Sequence, residues 1–178
     1  MSKWEDKVLA ETKFLRLVQR DGWSFVQRPN ATGVVSIVAL TDEGEIVFVE
    51  QFRKPLDAYT IELPAGLAGD EPGHEEEALA HSAARELEEE TGFVAERVTH
   101  LIDCPTSAGM TDEVVSFFLA TGLRRVGPGG GVENENITVH IVPLKDAHAF
   151  LLNCAATGKS VAAKAFAGLH FAHVATRA

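Results

Sequence analysis

Cysteine is scarce in this chain: Cys104 and Cys154 are the only two in 178 residues, and neither sits in a CxxC pair. That excludes a disulfide framework and makes no case for a cysteine-built zinc site. Positive charge is also short, with Lys+Arg 16 against Asp+Glu 26 and a formal net charge of −10. Nucleic acid and an anionic membrane would both be repelled at long range, so neither is expected as a partner. A local basic pocket for a small anion remains open. Long apolar runs are missing, and the stretch at residues 33–40 is far too short to cross a bilayer. Lys3, Glu5, Asp6, Lys7 and Glu11 break up the first residues, leaving no signal-peptide core, so a reduced cytoplasm is the expected location. What is present, 46% hydrophobic and 24% charged residues, is the mixture of one globular domain.

Strand patterns dominate the first part of the chain. Residues 23–28 (WSFVQR) alternate, and 33–41 (GVVSIVALT) and 45–53 (EIVFVEQFR) flank the turn signal Asp42-Glu43-Gly44, which predicts a hairpin. Residues 59–63 (YTIEL) form a further short strand stopped by Pro64, and a loop rich in Gly, Asp and Pro follows from 65 to 73. Helical periodicity then runs over 74–91, with Gly92 as its C-terminal cap. Strand patterns return at 97–104, 113–120 and 137–142. Helices are expected at 145–157, closed by Gly158, and at 161–169. The order predicts an α+β domain in which a mixed sheet is covered by helices.

The helix at 74–91 is unusual in where it puts its charge. At about 100° per residue, Leu79, Ala80, Ala83, Ala84 and Leu87 share one apolar sector. Glu86 falls beside Leu79, and Glu90 falls between Leu79 and Ala83. With Glu89 they occupy one arc of roughly 100°. A solvated acidic face is the ordinary reading of such a run. Against it, solvated carboxylates should avoid the core-facing edge, and like charges at i, i+3 and i+4 destabilise a helix. At the C-terminal half they also oppose the helix dipole. A cation is needed nearby; Arg85 is one, and three carboxylates on an arc suit the oxygen-ligand preference of Mg²⁺ or Mn²⁺.

These residues carry a family resemblance. Residues 85–93 (RELEEETGF) resemble the REUxEExGU part of the Nudix hydrolase box, U being a bulky apolar residue, and Glu77 lies eight residues before Arg85 as that box requires. Residues 62–66 (ELPAG) resemble the start of the motif in its ADP-ribose pyrophosphatase branch. One departure is visible: ten residues separate Gly66 from Glu77, twice the family spacing, and no role is assigned to Glu77. The resemblance implies a Nudix fold, with a mixed β-sheet sandwiched between α-helices and antiparallel strands at the N-terminus. Residues 1–30 would form a strand segment that dimerises, and 31–178 the hydrolase domain.

The resemblance also implies roles. Glu86, Glu89 and Glu90 would bind Mg²⁺ (Mn²⁺ as a substitute) together with the Ala65 carbonyl, and Arg85 would orient the carboxylates. Residues 127–137 (GPGGGVENENI) read as a flexible glycine stretch, and without the family as a solvated hairpin loop. By resemblance this loop carries the general base, Glu133, with Glu135 in reserve. Glu113, after the PTSAGMTD segment, is a candidate for metal or water contact, or simply a charge at a strand start. Arg53 would grip substrate phosphate, Glu62 would lie beside the terminal ribose, and Trp23 would stack on the base. A surface arginine and a core or interface tryptophan are the competing readings.

The activity implied is Mg²⁺-dependent hydrolysis of a nucleoside diphosphate linked to a sugar, ADP-ribose to AMP and ribose 5-phosphate first, by a cytoplasmic homodimer. The alternatives are another nucleoside diphosphate sugar, of the GDP-mannose or ADP-glucose type, or a non-catalytic nucleotide-sensing module.

Overall fold

In the computed structural model, residues 4–69, 78–132 and 135–177 are described. The chain opens with an antiparallel meander of β1 (Asp6–Glu11), β2 (Arg16–Arg20) and β3 (Trp23–Gln27). Two four-stranded mixed sheets follow. In the first, β4 (Gly33–Ala39) lies between β7 (Ala65–Ala68), antiparallel to it, and β9 (Val114–Arg125), parallel to it; β8 (Phe93–Pro105) is outermost. In the second, β5 (Glu45–Arg53) lies between β10 (Thr138–Pro143) and β6 (Ala58–Glu62), and β11 (Ser160–Val161) runs parallel to β6. The helices are α1 (Leu79–Thr91), α2 (Ala147–Ala156) and α3 (Ala163–Ala175).

Alternation along β4 explains the layering. Val35, Ile37 and Ala39 pack with Ala83 and Leu87 of α1, whereas Val38 packs with Leu151 of α2 and Leu169 of α3. Each strand position therefore buries its side chain against a helix on one face or the other. This is the expected α+β arrangement of mixed sheet between helices, with two such sheets in place of one. No described helix is long and apolar enough to cross a membrane.

Four expectations change. The 33–41 and 45–53 strands do not form a hairpin: β4 and β5 belong to different sheets, joined only by a bridge at Leu40↔Ile46. Both edges of each strand are already taken, by β7 and β9 for β4 and by β10 and β6 for β5, so neither has a ladder to offer the other. Residues 65–68, read as loop, form β7, because the open edge of β4 supplies hydrogen-bond partners that composition does not reveal. Helix α1 is described over Leu79–Thr91 and does not run on through Ala78, which is extended (φ −66°, ψ 134°); residues 74–77 of the expected helix lie outside the described residues. The final helix is longer than 161–169, and it follows the short strand β11.

Candidate active site

The acidic half of α1 is held in place by its apolar half. Ala83 and Leu87 are fully buried, and on the neighbouring arc Glu90 is carried inward to 4% exposure. The Ala65 N–H donates to Glu90 Oε2 at 3.0 Å, tying the start of β7 to the end of α1. Burial drives the Glu90 carboxyl up to about 8; the Ala65 N–H opposes this, Glu86 and Glu135 add to it, and Arg53 lowers it. Glu86 lies against the backbone of Gly66, where a β-carbon would fall 1.9 Å from the Glu86 carboxyl carbon. Only glycine leaves that carboxylate its place. Arg85 Nη1 reaches both Glu86 and Glu89 at 3.2 Å, and its Nη2 donates to the Leu67 carbonyl at 3.2 Å. One guanidinium thus spans two carboxylates and β7.

The glycine-rich segment closes over the end of this helix. Gly92 is left-handed (φ 73°), and its N–H donates to the Glu88 carbonyl at 2.8 Å. The N–H groups of Gly130 and Gly131 then donate to the carbonyls of Glu90 and Glu89 at 2.9 and 3.0 Å. A β-carbon at Gly129 would meet the Thr91 backbone at 2.4 Å. The glycines read as a flexible stretch therefore permit close approach to α1, and this contact carries Glu135 toward the same cavity.

That cavity, of about 410 Å³, is lined by Glu86, Glu90, Glu113 and Glu135 and by Arg28, Arg53 and Lys164, with Val34, Gln51 and Ala65–Leu67 completing its wall. Arg53 donates from Nε and Nη2 to the two Glu62 oxygens at 2.6 and 2.8 Å. These bonds from Glu62 outweigh burial and hold the guanidinium charged more firmly than usual. Arg28 meets Glu113 at 3.3 Å. The donor set suits a hard divalent cation: oxygen ligands only, a buried carboxylate crowded by two others, and a glycine that leaves room for one of them. Among the described residues no three His, Cys, Asp or Glu side chains are grouped to hold a metal ion, so backbone, water and substrate oxygens would have to complete the shell.

The NUDIX domain model matches residues 31–163. The chain belongs to the NUDIX domain family. It is 44% identical over 116 residues to the ADP-ribose pyrophosphatase of Bacillus subtilis (strain 168), covering 65% of this chain and 60% of that protein. To the ADP-ribose pyrophosphatase of Mycobacterium tuberculosis (strain H37Rv) it is 39% identical over 147 residues, covering 81% and 66%. The chain thus spans less than two thirds of the length of either relative. A crystal structure of an ADP compounds hydrolase superposes with a TM-score of 0.74 at 19% identity, covering 99% of this chain and 96% of that one, which extends the shared fold to nearly the whole chain.

Within this NUDIX domain the expected site residues separate into groups. Ala65, Glu86, Glu90, Glu113 and Arg53 line one cavity, and Glu62 braces Arg53 from beside it. Glu89 is turned to Arg85. Glu133 and Glu77 lie outside the described residues. Trp23 stands in a different hollow, with Arg20, Phe25, Ala108, Thr111 and Asp112, where its Nε1–H donates to the Gly109 carbonyl at 3.1 Å. Arg28, Gln51 and Lys164 were not anticipated. Arg28 follows the β3 strand pattern and Lys164 opens a helix, so no local motif marks either; only the tertiary fold brings them to the carboxylates.

Proposed function

We propose that this chain is a divalent-metal-dependent hydrolase of a nucleoside diphosphate linked to a sugar, with ADP-ribose, cleaved to AMP and ribose 5-phosphate, as the leading substrate. The observation that carries this is one cavity lined by Glu86, Glu90, Glu113 and Glu135 together with Arg28, Arg53 and Lys164, with Glu90 itself buried. A diphosphate matches such a mixed lining. Its oxygens would pair with the cations, while the carboxylates would hold a divalent ion. The 39–44% identity to two ADP-ribose pyrophosphatases supports the choice of substrate.

Glu86, Glu90 and the Ala65 carbonyl would hold Mg²⁺, or Mn²⁺ in its place, with Glu89 a further ligand once released from Arg85. Bound there, the ion supplies Lewis acidity and lowers the pKa of water. The chain's own residues do the rest. Arg53, with Nε and Nη2 engaged by Glu62, presents Nη1 to a phosphate oxygen. Glu113, steadied by Arg28, orients water. The loop at 127–137 provides the proton acceptor, Glu133 by resemblance. As the water oxygen bonds to one phosphorus, the bridging P–O bond breaks and its electrons leave with the other phosphate. Trp23 is assigned to the base. The 1–30 segment is assigned to a homodimer interface, 31–178 to catalysis, and the protein to the cytoplasm.

Purified protein with saturating Mg²⁺ should convert ADP-ribose to AMP and ribose 5-phosphate. Intact ADP-ribose after long incubation would remove the assignment. A comparison of kcat/KM across ADP-ribose, GDP-mannose and ADP-glucose ranks the sugars, and tight ADP-ribose binding without turnover would favour a sensing module.

A further inference from the structure

Of the three cations lining the cavity, two are already engaged. Arg28 is paired with Glu113 and Arg53 with Glu62, whereas among the described residues no salt bridge involves Lys164. Its position follows from two contacts. Strand β11 pairs in parallel with β6 at Val161↔Ile61, and the Ala162 N–H donates to the Ile61 carbonyl at 3.0 Å, so α3 starts beside the end of β6. One turn further on, Gly168 meets Leu63 so closely that a β-carbon there would lie 2.5 Å from Leu63 Cδ1. Lys164 and Gly168 are four residues apart and share a helix face. Docking Gly168 on Leu63 therefore sets Lys164 next to the segment that continues through Pro64, Ala65 and Gly66.

A second cavity, of about 390 Å³, runs between α3 and strands β8 and β9, with Phe117 and Phe171 in its wall, and Lys164 and Glu113 line both hollows. A half-buried lysine at such a boundary can lay its methylene stem along the apolar wall and keep its ammonium in the polar cavity. The family match ends at residue 163, one position earlier.

We infer that Lys164 is a substrate-contacting cation of this chain, giving its ammonium to an oxygen of the diphosphate; this rests on the functional reading above. An unpaired ammonium has no partner to surrender when the anion arrives, so its contribution appears in binding. In a chain of net charge −10 it also works against an unfavourable overall field.

The test is calorimetric titration of inorganic diphosphate with Mg²⁺ into wild-type, K164M, K164Q and K164R protein, beside ADP-ribose kinetics. K164M and K164Q should weaken diphosphate binding and raise KM by about 10–100-fold, the scale of one charge-assisted hydrogen bond. They should leave kcat within about 3-fold and flatten the salt dependence of binding. K164R should recover most of the affinity. Unchanged diphosphate affinity in K164Q or K164M overturns the inference, and affinity kept by K164M but lost in K164Q would assign the residue to packing along its methylene stem. A wild-type protein that binds diphosphate but cleaves none of the three nucleotide sugars overturns the functional reading instead, and the titration still judges Lys164.

Discussion

At the residue scale the site depends on where carboxylates are forced to lie. Glu90 is nearly sealed from water, crowded by Glu86 and Glu135, and pushed up to about 8, burial being the largest cause. Glu90→Gln keeps an oxygen that can accept from the Ala65 N–H while removing the charge. Thermal stability without metal should hold or rise, and kcat should fall by orders of magnitude; a fully active variant would contradict the ligand assignment. Gly66→Ala tests the same carboxylates from the backbone side. Its β-carbon collides with the Glu86 carboxylate, the far end of a flexible side chain, so Glu86 should swing away and the fold survive. Mn²⁺ titration followed by electron paramagnetic resonance should then show affinity weakened by about 10–100-fold, the range for losing the support of a metal ligand. The Glu86–Glu90 pair was legible in the sequence because helix spacing is local. Lys164 was not, because a parallel strand pairing and a helix docked on Leu63 bring it in from a distant segment, nor was Arg28, whose pairing with Glu113 joins positions 85 residues apart.

At the scale of elements, strand existence was easier to read than strand partnership. The run at 45–53 is β5 residue for residue, yet its pairing with β10 and β6 rests on choices no turn signal records. The short Ala-Gly-Leu-Ala of β7 has no strand propensity at all; a free edge recruits it. Elements are also tied by charge. Glu50 on β5 accepts from Lys159, before β11, at 2.7 Å and shares a hydrogen bond with His140 on β10 at 2.8 Å. Burial raises the Glu50 carboxyl, but the bonds from Lys159 and His140 outweigh it, and the net shift is downward from 4.5. A folded value below the unfolded one means this tie contributes fully above about pH 4.5 and is lost as pH falls through the folded value. The wild-type Tm should therefore fall more steeply below pH 4.5 than that of Glu50→Gln; parallel curves would show that the tie contributes nothing. The loop at 127–137 invites a sharper comparison. Glu133→Gln should cost about 10²–10⁴-fold in kcat, the scale of a general base, and Glu135→Gln much less. The reverse order would move the base to Glu135, the glutamate seen in the cavity wall.

At the scale of the whole molecule, the N-terminal meander stands apart in character from the rest. Every residue of β1 is exposed, and Val8, Leu9, Phe14, Leu15 and Leu17 leave between 39% and 57% of their surface open. Apolar side chains concentrated on one small sheet mark an interaction surface more often than a solvated one. The same sheet grips the loop that leads to Glu113: the Val26 N–H donates to the Met110 carbonyl at 2.8 Å, Gln27 Nε2 to Asp112 Oδ2 at 2.5 Å, and Trp23 to Gly109. Assembly through this sheet would therefore act on catalysis as well as on stability, because it would steady the loop beside the cavity. If this sheet is a homodimer interface as proposed, the wild type should sediment as a dimer and a paired Leu9→Glu, Leu15→Glu variant as a monomer. The variant's kcat/KM should drop while the secondary structure seen by circular dichroism is kept. A wild type that is monomeric at micromolar concentration would leave these side chains without a partner copy. A monomeric variant of undiminished activity would show that the sheet holds the loop unaided.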